Sequence, residues 1–166
     1  MRSKGFSIVE LLIVITVIVL LAAITLVTYN SLQNSGYDAA VQSDLDNTSG
    51  LLESFRLSSS TAHQYPRNKT PDLESLNITA SKNSYDQTTT VNYVYCIDNT
   101  DYKSYALVAL SKAGNVYMMT QDGFKSTTIT KSDFSSATNI CNTKLSMGLV
   151  SAGMYAANTW QTWVHS

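Results

Sequence analysis

The amino-terminal 27 residues constrain this chain more than any other stretch of it. A short basic leader ends at Gly5, and Phe6 follows it. One carboxylate, Glu10, then stands at the head of an apolar run that continues to Val27. As a helix this run is long enough to cross about 30 Å of hydrocarbon. Because a glutamate costs up to roughly 3 kcal/mol near a bilayer centre, Glu10 indicates a positively charged partner.

The segment from Gly5 to Glu10, with the apolar run behind it, resembles the class III signal of type IV pilins, pseudopilins and competence pilins. In that family a prepilin peptidase cuts after the glycine and methylates the new amino-terminal phenylalanine. The glutamate then pairs with the amine of a neighbouring subunit. The resemblance therefore implies cleavage between Gly5 and Phe6, N-methylation of Phe6, and assembly through Phe6 and Glu10.

The same resemblance implies partners and a location. The chain would form a homopolymer, a helical filament drawn from the membrane by a membrane platform and an assembly ATPase. Arg2 and Lys4 precede the apolar run, which keeps the amino terminus on the cytoplasmic side of the cytoplasmic membrane before assembly. After assembly the protein would lie in an extracellular pilus that supports adhesion, twitching motility or DNA uptake. The full-size stem and short leader favour a major pilin.

Other interpretations of the amino terminus stay open. A pseudopilin or competence pilin of a type II-secretion-like system shares the motif. An ordinary secretory signal needs a small-residue cleavage site after its apolar region, but Ala22 and Ala23 are followed by further apolar residues. A surface-binding protein held by an amino-terminal anchor, which never polymerises, belongs to a different class and leaves Glu10 without a role.

The stem is predicted as one continuous helix from about residue 6 to about residue 57. Residues 6–35 are its transmembrane and filament-core half, and residues 36–58 are its amphipathic half. Along the second half, positions on one face recur every three or four residues. This stripe consists of Tyr37, Val41, Leu45, Thr48, Leu52 and Phe55. Packing against the chain's own globular head explains the stripe, and a coiled-coil partner is the alternative.

Residues 59–166 are predicted to form that head. Residues 59–90 are a connector, because proline and a threonine run replace the helical period. An antiparallel sheet is predicted over 91–122, with a first strand at Val91–Ile97 and a hairpin around Ala113–Asn115. Together these elements predict an α+β fold, a long amino-terminal helical stem packed on a small antiparallel β-sheet, which is the pilin layout.

The carboxyl-terminal tail, residues 142–166, places small and apolar residues at helical spacing. It is predicted as a helix or tail that covers the sheet. The alternative is an exposed patch for the next subunit or an external surface. That candidate patch consists of Met154, Tyr155, Trp160 and Trp163. Before the tail, Ile129 is predicted in a short edge strand.

The two cysteines, Cys96 and Cys141, are both expected outside the cell, where a disulfide persists. A bridge between them would close a loop of about 46 residues and contribute roughly 4 kcal/mol in the chain-entropy model. A redox pair is disfavoured, since there is neither a C-x-x-C spacing nor a neighbouring histidine. The bridge would resemble the disulfide-bounded region of pilins, here 96–141, which implies that this region carries surface and subunit contacts.

Catalytic and cofactor motifs are missing from the sequence. The only histidines are His63 and His165, and no nucleophile motif or P-loop occurs. We therefore expect no enzyme, no cofactor and no metal site. Aspartates in the loops lack calcium-loop spacing and are interpreted as solvated turn residues: Asp98, Asp101, Asp122 and Asp133. A net charge of -1 gives no basic field, so direct nucleic-acid binding is not indicated.

Overall fold

A computed structural model describes residues 5, 7–58, 63–67, 71–147 and 150–166. The chain divides into two compact units, Met1–Ser35 and Gly36–Ser166. The long helix α1, Ile8–Ser58, contributes residues to both units. A one-turn helix α2, Pro71–Glu74, follows it in the second unit. Most of the predicted leader, residues 1–4, and the predicted new amino terminus Phe6 lie outside the described residues.

In the first unit α1 exposes apolar side chains on every side. All side chains described between Ser7 and Ser35 are exposed. By its length and composition the helix could cross a membrane. The hydroxyl groups of Thr16 and Thr25 donate to the carbonyl oxygens of Ile13 and Ala22 at 2.8 Å and 2.9 Å. These polar groups are thus satisfied within the helix, as a lipid environment requires.

In the second unit the predicted stripe of α1 is buried at its centre. Its fully or almost fully buried members are Val41, Leu45, Thr48 and Leu52. The two end positions, Tyr37 and Phe55, are half-buried. The apolar members share one core with residues of the sheet. The core-packing interpretation of the stripe is therefore confirmed for these positions, and their burial needs no second chain.

Six antiparallel strands form one sheet. They are β1 Val91–Ile97, β2 Tyr105–Leu110, β3 Val116–Thr120, β4 Gly123–Lys125, β5 Val150–Ala156 and β6 Thr159–Trp160. Their order across the sheet is β4-β3-β2-β1-β5-β6. The β2–β3 hairpin confirms the predicted one, and Gly114 supplies its positive φ of 92°. The long helix and the antiparallel sheet confirm the predicted α+β class.

The sheet is buried on both faces, which explains why its first two strands lack polar alternation. Every residue of β1 and β2 is buried. Tyr93 and Leu107 belong to the core shared with α1, whereas Val94 and Val108 belong to the opposite core. Residues 126–147, called the cover below, close that opposite face. The larger apolar side chains of the cover are Ile129, Phe134, Ile140, Leu145 and Met147.

The carboxyl-terminal tail contains strands β5 and β6, so of its two predicted forms, a helix or a tail that covers the sheet, the helix is wrong. β5 pairs with β1, and β6 pairs with β5. The register between β1 and β5 shifts on either side of Tyr93. Such bulges interrupt the two-residue alternation by which a strand is recognised in sequence. The strand predicted at Ile129 is also wrong, because Ile129 lies in an irregular part of the cover and is buried in the second core.

Candidate assembly site

Glu10 lies in the first turn of α1, where it completes a helix cap. Its Oε2 atom accepts a hydrogen bond from the backbone N–H of Ser7 at 2.8 Å. The Oγ atom of Ser7 accepts one from the N–H of Val9 at 3.2 Å. Serine and glutamate form a variant of the capping box, in which Ser7 Oγ bonds the N–H two residues on, and together they satisfy donors that the helix end leaves free. This role was not predicted from the sequence, although the S-x-x-E spacing from Ser7 to Glu10 is its signal.

The surroundings of Glu10 leave its carboxylate open to a second partner. Its side chain is exposed and lies at the positive end of the helix dipole. Gly5 is exposed too, and no atom of the described residues lies within 4 Å of the position a Cβ atom would take there. A carboxylate so placed on an apolar helix can accept hydrogen bonds from an ammonium group.

A disulfide joins Cys96 to Cys141, with their Cα atoms 5.4 Å apart. This is the pair expected from the sequence. Both residues are fully buried. Cys96 belongs to β1 and Cys141 to the π-helix Asn139–Lys144 of the cover. The bond therefore fastens the cover to a central strand of the sheet.

Two ion pairs involve the cover, one to Asp86 before β1 and one between two of its own residues. Lys131 Nζ lies 2.6 Å from Asp86 Oδ2, and Lys144 Nζ lies 2.9 Å from Asp133 Oδ1. Burial acts to raise the pKa of Asp86, but hydrogen bonds from Lys131 and the turn that follows Asp86 outweigh it and hold that pKa below its ordinary range. The backbone N–H of Thr130 and the Lys144 ammonium lower the pKa of Asp133. Both carboxylates thus favour the charged form that the lysines need.

The candidate patch in the tail is not an exposed surface. Met154 and Tyr155 are buried, at 0% and 3% exposure. Trp160 and Trp163 are half-buried and pack against the core shared with α1. The Trp160 ring meets those of Tyr85 and Tyr155 edge-on, with centroids 5.1 Å and 5.4 Å apart. The patch interpretation is therefore wrong for Met154 and Tyr155, because β5 lies inside the sheet.

Asp44 is a buried carboxylate on α1, and nothing in the local sequence pattern predicts its burial. Only 7% of it is exposed. Its Oδ2 atom accepts hydrogen bonds from the backbone N–H of Ser81 at 2.7 Å and the hydroxyl of Tyr85 at 2.9 Å. Burial raises the pKa of Asp44, although these bonds oppose the change. Asp44 therefore ties the connector before β1 to the helix.

Tyrosine hydroxyls make further links between α1 and the rest of the head. Tyr93 in β1 donates to Oγ1 of Thr48 at 2.8 Å. Tyr105 in β2 shares a hydrogen bond of 2.7 Å with Ser49, and the Tyr65 hydroxyl donates to Glu53. The sequence signals such links only in general terms: it contains ten tyrosines, and polar residues flank the helical stripe. Which tyrosine meets which residue depends on the packing of the sheet on the helix.

The loop aspartates serve local turns and ion pairs, and the interpretation as solvated residues is wrong for Asp133, which is buried. Asp98 and Asp101 accept hydrogen bonds from backbone N–H groups two residues further on, at 2.8 Å and 2.9 Å. Asp122 lies 3.7 Å from the ammonium of Lys125. Within the described residues, no three histidine, cysteine, aspartate or glutamate side chains come together as a metal site.

Comparison with known proteins identifies the amino-terminal segment. Residues 1–26 match the prokaryotic N-terminal methylation motif. This is the class III signal of type IV pilins and pseudopilins. No curated protein and no solved structure matches the chain.

The helix and sheet define a pilin-like α+β protein, and the methylation motif supports membership of the type IV pilin and pseudopilin family. The class III signal implies processing by a prepilin peptidase and assembly into a pilus or a secretion apparatus. An apolar amino-terminal helix with this motif fits membrane anchoring before assembly. The family is structural in type.

Proposed function

We propose that the chain is the structural subunit of a type IV pilus. It is synthesised as a prepilin, cut between Gly5 and Phe6, methylated on Phe6, and polymerised through the amino-terminal half of α1. The observation that carries the proposal is the exposed carboxylate of Glu10 at the head of an apolar helix that bears the methylation motif. A membrane platform and an assembly ATPase extract it, and the extracellular filament serves adhesion, motility or DNA uptake.

The assembly step follows from the electrostatics of the two groups. Processing creates a positively charged amine at Phe6, and Glu10 carries the negative charge. Neither group is stable alone in lipid, and each subunit offers one of each. Pairing between neighbours repeats head to tail without closing, which generates a helical filament. Ser7 already satisfies part of the Glu10 carboxylate through the cap, so the amine adds a second interaction to it.

The cap dictates how this proposal is tested. Glu10→Ala removes the charge and the cap together, whereas Glu10→Gln removes only the charge, since glutamine also serves in a capping box. Ser7→Ala is the matched control, because it weakens the cap and leaves the charge. In cells with the peptidase and assembly machinery, we expect both Glu10 variants to reach the membrane without forming filaments, and Ser7→Ala to form them. Normal filaments from Glu10→Gln would refute charge pairing.

An intact mass on unreduced material sheared from the cell surface separates a pilus from other assemblies. We expect the mass of residues 6–166 with one added methyl group and two hydrogens fewer for the disulfide. Processed protein that stays entirely in the membrane fraction would point to a pseudopilin. Unprocessed chain found only in membranes would contradict the pilus and favour the anchored surface protein that never polymerises.

A further inference from the structure

Cys96 occupies a position in β1 where two long-range constraints meet. Its side chain is bonded to Cys141 in the cover. Its backbone lies opposite Ser151 of β5 in the antiparallel ladder. The disulfide and the pairing of β5 therefore converge on one residue of a central strand.

This convergence shortens the chain that must close for β5 to pair. Along the sequence, Cys96 and Ser151 are about 55 residues apart, whereas Cys141 and Ser151 are about 10 residues apart. Once the disulfide holds Cys141 on β1, β5 searches for its partner from the end of the shorter segment. Loop-closure entropy makes pairing over the shorter segment about tenfold more favourable.

The β1–β5 ladder contains two register shifts. Val91 lies opposite Ala156 and Tyr93 opposite Tyr155, which leaves Asn92 as an extra residue of β1. Val94 then lies opposite Gly153, which leaves Met154 as an extra residue of β5. A slip by one residue would exchange the faces of β5, so the burial of both faces of the sheet specifies one register once β5 reaches β1.

The burial of the extra residues shows what a slip would cost. Met154 is completely buried in the core shared with α1. Asn92 is completely buried as well, and its Nδ2 donates to the carbonyl oxygen of Asp86 at 2.9 Å. A slipped β5 would withdraw Met154 from that core and alter the surroundings of a buried amide. The native register is therefore the one in which both extra residues are buried.

We propose that the Cys96–Cys141 disulfide is a register clamp for the carboxyl-terminal strands: it tethers β5 next to its pairing position and keeps the opening of β5 local. Without the bond, the cover and β5 are held only by non-covalent contacts. These include the ion pair of Lys131 with Asp86 and the hydrogen bond from Val91 N–H to the Phe134 carbonyl oxygen at 3.2 Å. The two elements then open as one unit. This inference is independent of the proposed function.

Hydrogen exchange on the full chain in detergent micelles tests the clamp. The oxidised protein is compared with Cys96→Ala/Cys141→Ala by mass spectrometry of its peptides. We expect amide protection in β5 and the cover to fall at least tenfold further than protection in the β2–β3 hairpin. An equal loss in both regions would show that the bond acts only on global stability, and it would overturn the proposal.

A second variant keeps the disulfide and lengthens the tether, so it remains informative if the alanine variant fails to fold. Ten glycine and serine residues inserted after Ser146, which is exposed, double the segment from Cys141 to β5. We expect protection of β5 to fall about threefold. The same insertion after Ser126, also exposed, lies outside that segment and should leave β5 unchanged. Equal protection of β5 in the two insertion variants would contradict the tether.

Discussion

The hydroxyl group of Tyr93 donates to Oγ1 of Thr48 across 2.8 Å, and both residues are almost completely buried. This bond joins the middle of β1 to the middle of the amphipathic half of α1. Burial raises the pKa of the Tyr93 hydroxyl, so the group stays protonated and remains a donor. The helix and the sheet are therefore matched by a polar contact inside an otherwise apolar interface.

Loss of one partner of this bond should cost more than loss of both. Tyr93→Phe leaves the Thr48 hydroxyl buried without its donor, and we expect the free energy of unfolding to fall by about 1–2 kcal/mol. In Tyr93→Phe/Thr48→Val both polar groups are gone, so much of that loss should be recovered. Denaturant unfolding of the four proteins in the double-mutant cycle measures the difference. Strictly additive effects would mean that the two hydroxyls do not interact.

Asp44 should stabilise the head more at acidic pH than at neutral pH, relative to the variant Asp44→Asn. Its pKa is raised in the folded head, so its stabilising contribution is complete below the ordinary value of 3.8 and is lost as pH rises through the folded value. We compare the unfolding free energy of the wild type with that of Asp44→Asn. As pH falls from 7 to 4, we expect the difference, wild type minus variant, to rise by at most about 1.4 kcal/mol per pH unit.

Other carboxylates titrate in both of these proteins and cancel in the comparison. The measurement is the unfolding free energy of wild type and Asp44→Asn in the same denaturant series at several pH values. A difference that stays constant with pH would show that Asp44 has the same pKa folded and unfolded.

Asp86 should have the opposite pH dependence. Its pKa is lowered in the folded head, so its contribution is present above 3.8 and is lost as pH falls through the folded value. We expect Asp86→Asn to lower stability by about 1 kcal/mol at pH 7, a modest effect because Lys131 is half exposed. Below the folded pKa the wild type and the variant should converge. Lys131→Gln completes a double-mutant cycle, and absence of coupling at pH 7 would contradict the ion pair.

Ala157 is an alanine in a position that favours glycine. It and Asn158 form the two-residue turn between β5 and β6, with φ values of 52° and 62°. Turns of this kind need positive φ at both central positions. We expect Ala157→Gly to raise the free energy of unfolding by about 0.5–1 kcal/mol, because the left-handed conformation no longer strains a Cβ atom.

The matched control for that substitution is its neighbour. Ala156 pairs with Thr159 inside the ladder, where glycine should destabilise through its greater freedom in the unfolded chain. Thermal unfolding of both variants measures the contrast. Equal changes in the two melting temperatures would mean that the turn conformation of Ala157 carries no strain.

Several elements of this head were predictable because their signals are local. The stripe of α1 shows a helical period, and the β2–β3 hairpin has Gly114 between two strand-forming runs. The burial of Asp44 was not predicted, because it depends on Ser81 and Tyr85, which are far along the chain. β5 was missed for the same reason: its conformation follows from pairing with β1, whose register is irregular.

The sequence by itself determined the chemistry of the amino-terminal segment. Gly5, Glu10 and the apolar run are contiguous, and their chemistry can be read without knowing what surrounds them. Only the tertiary structure decided that β5 lies beside β1, that Met154 is core, and that Tyr93 meets Thr48. Those outcomes depend on the packing of distant segments, whose energies are shared among partners that no local pattern specifies.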